Sequence, residues 1–308
     1  MHTQVYHLQN LSALHVGTGQ GVGIVDLPIA RSRATNLPIV PGSALKGVLR
    51  DELASQEDIA LEPNDIKTLF GPDTALEDAH AGAIAFGDAN LLLLPIRSFA
   101  GTVAYATCPF ILRQYQRDNK AALKDLQIPS LDDETVSARV TADSSLLIGN
   151  SNNIVLEDLD IQAYDNETTQ KWADAITESL HPESSQNYQQ WRDEVAKRFV
   201  ILPDDIFSFL ADTATEIRTR IRIDRKTRTV QQGALWTEEN LPADSVFWGV
   251  LAVSASRKKS DNRSAEQLAN LLPNHEVEIQ IGGKHTVGRG FCRLLLSSDA
   301  ASKQSEEA

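Results

Sequence analysis

Three stretches of this sequence combine glycines and charged side chains in patterns that suit contact with phosphate. The first, residues 14–50, begins as a strand, passes through a loop with glycine at alternate positions, and enters a helix. The loop carries His15 and Asp26, and the helix presents Lys46 and Arg50 on one face. Glycine removes side-chain bulk, so this backbone can lie close to a ligand. We favour a ligand-contacting loop over a purely structural one, because loops rich in glycine and charge often carry function.

The second and third stretches add cations. Residues 217–224 alternate arginine with aliphatic residues, which predicts a strand with three arginines in register. These repel one another unless an anion lies across them, although a solvated sheet face is the alternative. Residues 282–290 combine four glycines with Lys284, His285 and Arg289. Such a loop can place backbone N–H groups and cations along a phosphodiester. The alternative is a simple tight hairpin, but a hairpin does not need four glycines and two cations. The candidate phosphate-contacting residues are Lys46, Arg50, Arg218, Arg220, Arg222, Arg225, Lys226, Arg228, Gly283, Lys284, Gly288, Arg289 and Gly290.

Neither glycine loop matches a nucleotide-binding signature. Lys46 is followed by glycine rather than by serine or threonine, which excludes the phosphate-binding loop of P-loop NTPases. Residues 19–23 lack the immediate helix that a dinucleotide fingerprint requires. The net charge of −13 argues against nonspecific binding of nucleic acid over the whole surface. Whether this protein binds nucleic acid therefore depends on how its cations are clustered and not on its net charge.

The composition predicts a globular protein with a sizeable core. The chain has 308 residues, of which 42% are hydrophobic, enough for one large domain or two small ones. No segment has the apolar length that crosses a bilayer, and no signal peptide is visible, so we expect a cytoplasmic protein without membrane contact. Cys108 and Cys292 are too few for a disulfide scaffold or a structural zinc site.

Hydrophobic periodicity predicts the elements that must position these residues. The predicted strands are 4–14, 83–96 with a possible bulge at Gly87, 102–107, 217–224, 227–235, 245–253, 276–281 and 291–296. The predicted helices are 43–56 with Ser43 as N-cap, 66–70, 108–124, 168–180, 186–200 and 265–272. This order predicts an α+β fold with helices on one face of an antiparallel sheet. Residues 297–308 are small, polar and acidic, and we expect them to be disordered.

These motifs together resemble the RAMP superfamily of CRISPR effector subunits over nearly the whole chain. The resemblance is closest to the backbone subunits of type III-B Cmr complexes, and the usually shorter type III-A backbone subunits are the alternative within the family. The motifs that carry it are Leu14-His-Val-Gly-Thr-Gly, Gly23-Ile-Val-Asp-Leu-Pro-Ile-Ala-Arg, Leu37-Pro-Ile-Val-Pro-Gly-Ser-Ala-Leu-Lys-Gly-Val-Leu-Arg-Asp and Gly282-Gly-Lys-His-Thr-Val-Gly-Arg-Gly.

The resemblance implies a modified ferredoxin-like or RNA-recognition-motif palm with helical insertions and a β-hairpin thumb. Several copies would stack along a guide crRNA with other type III effector subunits. Each thumb would displace one pair of the guide–target duplex every six nucleotides, and target RNA would be cut there with a divalent metal, Mg²⁺ or Mn²⁺. A single domain over 1–296 would comprise a palm of 1–56, 83–124 and 245–296, insertions of about 57–82 and 125–216, and a thumb of about 224–245.

The resemblance also assigns roles to individual residues. The acidic residue of the first loop is the family's catalytic group, and here that position is Asp26, which would also bind the metal. His15, Lys46 and Glu238 match positions that line the same region, so His15 and Glu238 are further catalytic candidates. Trp236 of the thumb could equally be a wedge between bases or a core residue. Displacing a base would itself twist the RNA backbone toward in-line attack by the 2′-hydroxyl.

Two other functions remain open at this point. One is a noncatalytic scaffold that only binds guide RNA, although such a scaffold has no need of a carboxylate such as Asp26 near phosphates. The other is an α+β regulatory protein that holds a small phosphate ligand in the glycine loops. In the nuclease interpretation we expect the isolated chain not to cut RNA, because the site needs guide, target and a neighbouring copy.

Overall fold

The computed structural model describes residues 1–19, 21, 25–56, 58–72, 79–131, 136–183 and 185–296. Its elements in chain order are β1 (His2–Asn10), β2 (Ile39–Val40), α1 (Gly42–Ser55), α2 (Pro63–Phe70), β3 (Ile84–Phe86), β4 (Ala89–Arg97), β5 (Val103–Thr107), α3 (Pro109–Asp118), α4 (Lys120–Leu123), β6 (Ser137–Val140), β7 (Asn153–Leu156), β8 (Leu159–Asp165), α5 (Glu167–Leu180), α6 (Tyr188–Ala196), β9 (Phe199–Ile201), α7 (Asp204–Thr213), β10 (Glu216–Ile223), β11 (Val230–Asn240), β12 (Val246–Val253), α8 (Ala265–Ala269), β13 (Glu276–Gln280) and β14 (Phe291–Leu296). Gly23 and the predicted disordered segment 297–308 lie outside the described residues.

Twelve of these strands form one mixed sheet. Its order is β13-β14-β1-β12-β4-β5-β9-β6-β8-β7, with β2 on β4 and β3 on β12. The strands around β1 and β12 are antiparallel, as predicted. The β5–β9 and β6–β8 pairs are parallel, so a purely antiparallel sheet was a wrong prediction. β10 and β11 form a separate two-stranded hairpin.

Both faces of the central strand β1 are covered, and the prediction of helices on one face stays a prediction. Residues 5–10 of β1 are all buried, so neither face of this strand meets solvent. His7 packs edge-on against Tyr115 of α3, with ring centroids 5.7 Å apart. Its neighbour Tyr6 points to the opposite face and packs on Phe86 at 5.4 Å. The polar residues of β1 are buried with partners such as the Tyr115 hydroxyl, 2.7 Å from His7 Nε2.

Several predicted boundaries shift for local reasons. α1 begins at Gly42 rather than after a Ser43 cap, because the Asp88 carboxylate accepts the Gly42 N–H at 2.9 Å. The predicted strand 83–96 divides at Gly87 into β3 and β4, and both parts pair with β12. The predicted helix 186–200 ends at Ala196, because Phe199–Ile201 joins the sheet as β9. α7 had no counterpart in the prediction.

The hairpin spans 216–240, eight residues earlier at its start than the predicted thumb of 224–245. Leu241 returns to the body of the protein, where it exchanges backbone hydrogen bonds with Leu14 at 2.9 and 3.0 Å. The division of the rest of the chain into palm and insertions stays a prediction. None of the helices among the described residues is long and apolar enough to cross a membrane.

Candidate nucleic-acid interface and active site

The register of the hairpin gives it one cationic and one largely aliphatic face. Thr219 lies opposite Thr237 and Ile221 opposite Leu235, and directly opposed residues share a face. The arginines alternate with them and face the other side, as the sequence predicted. The aliphatic side chains that this hairpin exposes are Ile217, Ile221, Ile223, Val230 and Leu235.

Glu238 is the internal counter-ion of the cationic face. It is 1% exposed, and its Oε1 accepts hydrogen bonds from Trp236 Nε1 at 2.7 Å and Lys284 Nζ at 3.0 Å, with Arg220 Nε at 3.9 Å. Burial raises the pKa of this carboxyl, but Trp236, Lys284 and Arg220 together outweigh it and hold the pKa below its usual value. Glu238 therefore joins the hairpin to the second glycine loop, and its predicted catalytic role stays a prediction. Trp236 is half-buried under Lys284, whose Nζ lies 5.8 Å from the ring centroid.

Arg289 is a buried cation beside the same face. It is 8% exposed, and its Nε has no hydrogen-bond partner among the described residues. Burial lowers the pKa of its guanidinium, and the charges of Arg218 and Arg220 add to this effect. The charges of Glu216 and Glu238 oppose this lowering. A buried donor such as the unpaired Nε is costly unless an acceptor reaches it.

The glycines of the second loop serve shape rather than direct phosphate contact. Gly283 N–H donates to the His15 carbonyl at 2.9 Å, Gly288 N–H to the His285 carbonyl at 2.9 Å, and Gly290 N–H to the Ala13 carbonyl at 3.1 Å. The expectation that these three N–H groups lie along a phosphodiester is therefore wrong, because the fold already uses them. Phosphate contact by Lys284 and Arg289 stays a prediction.

The exposed carboxylate of the first loop is fixed to the hairpin. Asp26 Oδ2 accepts hydrogen bonds from Thr237 N at 2.7 Å and from Thr237 Oγ1 at 2.9 Å. The loop runs along the free edge of β11, since Leu27 N donates to Thr237 O and Glu239 N donates to Leu27 O. The hydrogen bonds from Thr237 lower the pKa of Asp26, which is exposed. Asp26 is thus an oriented, ionised group at the hairpin base.

His15 is a buried link between the two loops. It is 6% exposed, and its Nδ1 lies 2.7 Å from the Glu239 carbonyl oxygen. A carbonyl only accepts, so Nδ1 carries a proton. Nε2 packs against Gly17, where a Cβ would lie 2.7 Å away. A catalytic role for His15 stays a prediction.

Sequence reasoning missed the buried pair that anchors the first loop. Glu239 Oε1 accepts hydrogen bonds from Arg31 Nη2 at 2.6 Å and Thr215 Oγ1 at 3.1 Å, and its Oε2 accepts the Ile29 N–H at 3.0 Å. Thr237 was missed as well. The signal lay in the alternation of residues 236–239, which sends Glu238 and Glu239 to opposite faces.

Lys46 does not line the Asp26 region within one chain. Its Nζ donates to the Ile84 carbonyl at 2.9 Å, and Ile84 pairs with Val253 at the far end of β12. That end lies about 23 Å along the strand from Val246, which follows the hairpin base. The pKa of Lys46 is lowered by burial and by the charges of Arg50 and Arg257, so these three residues form a second basic cluster.

The remaining predicted cations are on the hairpin. Arg225, Lys226 and Arg228 occupy its exposed tip, where Asp224 Oδ1 accepts the Lys226 N–H at 2.8 Å. Arg218 pairs with Glu216 in its own strand at 2.5 Å, and Arg222 is exposed.

The described residues do not form a ready metal site. No group of three or more His, Cys, Asp or Glu side chains within this part of the chain could hold an ion. Glu238 is committed to cations on the other face of the hairpin, and Asp26 Oδ2 is committed to Thr237. A single carboxylate oxygen does not make a protein site for Mg²⁺, which usually also needs substrate phosphates.

Comparisons with known proteins decide the family. The sequence matches the model of the RAMP superfamily over residues 7–293. The chain belongs to the RAMP superfamily. The "CRISPR system Cmr endoribonuclease Cmr4" of Pyrococcus furiosus is 35% identical over 294 residues, which cover 94% of each chain. The "CRISPR system CMR subunit Cmr4" of Saccharolobus solfataricus is 26% identical over 307 residues, 96% of each.

The fold of this RAMP protein also has a close structural match. The crystal structure of oligomeric Cmr4 from Pyrococcus furiosus superposes with a TM-score of 0.70 at 27% identity, covering 96% of this chain and 98% of that one. The predicted family is therefore confirmed. The full-length match includes the first glycine loop, the hairpin and the second glycine loop.

Proposed function

We propose that this RAMP protein is a backbone subunit of a type III-B CRISPR effector complex. Copies of the chain bind crRNA as a filament with other subunits of the complex, and the complex cleaves complementary target RNA at six-nucleotide intervals. The Pyrococcus relative, which matches over 94% of each chain, is named a Cmr endoribonuclease, and its crystal structure is described as oligomeric. The observation that carries the nuclease part is the exposed, oriented Asp26 carboxylate at the base of a cationic hairpin.

The cationic face and the second glycine loop form the proposed guide-binding surface. Arg289 is buried and its Nε has no hydrogen-bond partner among the described residues, and Arg220 and Lys284 share one carboxylate, Glu238. This surface therefore has positive charge in excess, although the whole chain is acidic. Phosphates neutralise such surfaces. Each phosphate contact to single-stranded RNA makes the slope of log K against log salt concentration more negative by about 0.7.

The chemistry that suits Asp26 is orientation of the RNA 2′-hydroxyl. A general base works best with a pKa near the working pH, whereas Thr237 holds the pKa of Asp26 below its ordinary value. Asp26 therefore acts as a permanent acceptor that aims the 2′-hydroxyl at the adjacent phosphorus. The 2′-oxygen bonds to phosphorus, the P–O5′ bond breaks, solvent takes the 2′ proton, and a water molecule protonates the leaving O5′.

The proposal extends to the metal, the palm and the cellular location. A divalent ion, Mg²⁺ or Mn²⁺, would neutralise charge on the phosphate, and the dependence on such an ion stays a prediction. An RNA-recognition-motif palm would be built on the antiparallel strands β1, β4 and β12. A cytoplasmic location agrees with the free thiols of Cys108 and Cys292.

The test is cleavage of guide-complementary RNA by the reconstituted complex. Asp26→Asn should abolish the six-nucleotide ladder and leave target binding intact, whereas the fully exposed control Asp158→Asn should cut like wild type. Products should carry a 2′,3′-cyclic phosphate and a 5′-hydroxyl. A chelator arm, restored with Mg²⁺ or Mn²⁺, tests the metal. A ladder that persists in Asp26→Asn moves the chemistry elsewhere.

The same assay separates the other candidate functions. A wild-type complex that binds target without cutting it would be a noncatalytic scaffold. A chain that binds mononucleotides in preference to long RNA would be a small-ligand protein. Cutting of naked RNA by the purified chain alone would contradict the expectation that the site needs guide, target and a neighbouring copy.

A further inference from the structure

One residue, Thr237, makes every side-chain hydrogen bond that the described part of the chain gives to Asp26. Its N–H and its hydroxyl both donate to Oδ2, at 2.7 and 2.9 Å. The Asp26 N–H lies 3.1 Å from Thr237 Oγ1 and donates to it. Two donors on one oxygen fix the plane of the carboxylate, which a single hydrogen bond would leave free to rotate.

The strand geometry explains why Thr237 can do this. β11 has β10 on one edge and the first loop on the other, where Leu27 N donates to the Thr237 carbonyl at 3.1 Å. The backbone N–H of Thr237 therefore faces the loop in the plane of the strand. Its side chain projects on the same face as Thr219, so its hydroxyl approaches Asp26 from a second direction. Only serine and threonine combine these two donors with so short a side chain.

We propose that Thr237 is the positioning residue of the cutting reaction, which holds one Asp26 oxygen so that the other faces the RNA 2′-hydroxyl. This inference rests on the proposed function of Asp26. Thr237 itself does not touch the reacting atoms. Because it belongs to the hairpin strand, it also makes the orientation of Asp26 follow the position of the hairpin on the RNA.

The pKa of Asp26 gives this role a specific readout. The backbone and side-chain hydrogen bonds from Thr237 are its main lowering causes, the backbone N–H of Asp26 adds to them, and burial opposes them. A carboxylate with a lowered pKa works above that pKa and fails as the pH falls through it. Removing the hydroxyl must raise the pKa of Asp26, so the acid limb of the cleavage rate must move to higher pH.

The experiment compares Thr237→Val, which keeps the shape and the N–H, with Thr237→Ser, which keeps the hydroxyl. Thr219→Val is the matched control, because it lies opposite on the same face and is exposed. Single-turnover cleavage by the reconstituted complex is measured from about pH 3 to pH 7, a range that reaches below the ordinary pKa of an aspartate, with target affinity measured alongside. We expect Thr237→Val to cut about tenfold more slowly with its acid limb shifted upward, and both other variants to stay within about threefold of wild type.

The outcomes separate this inference from the proposed function. Target affinity should stay within about twofold in all variants, since none removes a cation. A Thr237→Val complex with the wild-type rate and pH profile overturns the positioning role. The positioning role is also overturned if Thr237→Ser cuts as slowly as Thr237→Val, because loss of the hydroxyl then does not explain the slow cleavage. If Asp26→Asn still cuts, the proposed function falls, and the positioning role falls with it.

Discussion

Replacing Glu239 by glutamine should destabilise the protein, although the two side chains have nearly the same shape. The carboxylate accepts on both oxygens, from Arg31 and Thr215 on Oε1 and from the Ile29 N–H on Oε2. A glutamine offers one accepting oxygen and one donating NH₂ group. Whichever way the amide turns, its NH₂ group meets a donor that has lost its acceptor.

The magnitude follows from which donor is left unpaired. With the amide oxygen toward Arg31, the N–H of Ile29 is buried and unsatisfied, since Ile29 is 3% exposed. Such a group costs about 1–3 kcal/mol. With the amide oxygen toward Ile29, the Arg31 guanidinium loses its buried counter-charge, and breaking a buried pair costs about 3–5 kcal/mol. The first arrangement is cheaper, and with the weakened Arg31 contact we expect a loss of about 3 kcal/mol in the free energy of unfolding.

Urea unfolding of the purified chain measures this loss. Glu216→Gln is the control, because Glu216 pairs with Arg218 on the open hairpin, and it should cost under about 0.5 kcal/mol. A double-mutant cycle of Glu239→Gln with Arg31→Met should give a coupling energy of at least about 1 kcal/mol. A Glu239→Gln protein within about 0.5 kcal/mol of wild type, or a fully additive cycle, would refute the two-acceptor argument.

Two further predictions concern the second glycine loop and the core. Gly290→Ala should lower the free energy of unfolding by about 3 kcal/mol, because its Cβ would lie 1.9 Å from a carbonyl oxygen. Gly288 has the same φ of +76° but open space around it, so Gly288→Ala should cost only about 1 kcal/mol. Thermal unfolding of the two variants measures the difference. Burial lowers the pKa of His7 to about 4 from 6.5, so the unfolded chain binds a proton in this window that the folded chain excludes. Stability should therefore fall by about 3 kcal/mol as the pH drops from 6.5 to 4, with a smaller pH slope in His7→Phe when urea unfolding is repeated across the window.

The elements that sequence reasoning predicted well are those whose environment is uniform along their length. The strand at 217–223 alternates arginine with other residues, and the hairpin exposes both of its faces. The first helix was placed within two residues of α1, because one apolar face packs on the core. β1 was predicted as a strand at 4–14, and it ends at Asn10 because Leu14 pairs instead with Leu241. The short apolar run of β9 follows α6 directly, and such runs fit helix and strand equally well by periodicity.

The site was harder to predict than the fold because it is made by contacts distant in sequence. The resemblance pointed to Asp26, which the structure finds exposed and oriented. Its partner Thr237 is 211 positions away and belongs to no local pattern. Glu238 was assigned to the same cluster, but strand alternation turns its side chain toward Lys284. The glycine N–H groups were expected to face phosphate, but the Gly283 N–H donates a hydrogen bond to the His15 carbonyl.

The register of β11 places Thr237 against Asp26 on one face of the hairpin and Glu238 among the cations on the other. An irregularity in pairing near the tip separates this register from the tip itself. A slip by one residue would turn Thr237 away from Asp26 and bring Glu238 into its place. Pairing is regular from Glu216–Asn240 up to Ile221–Leu235, and beyond it four residues of β11 lie opposite one residue of β10. Gly233 takes a φ of +74° within this bulge. Changes in length beyond the bulge therefore alter the cationic tip without changing which side chain meets Asp26.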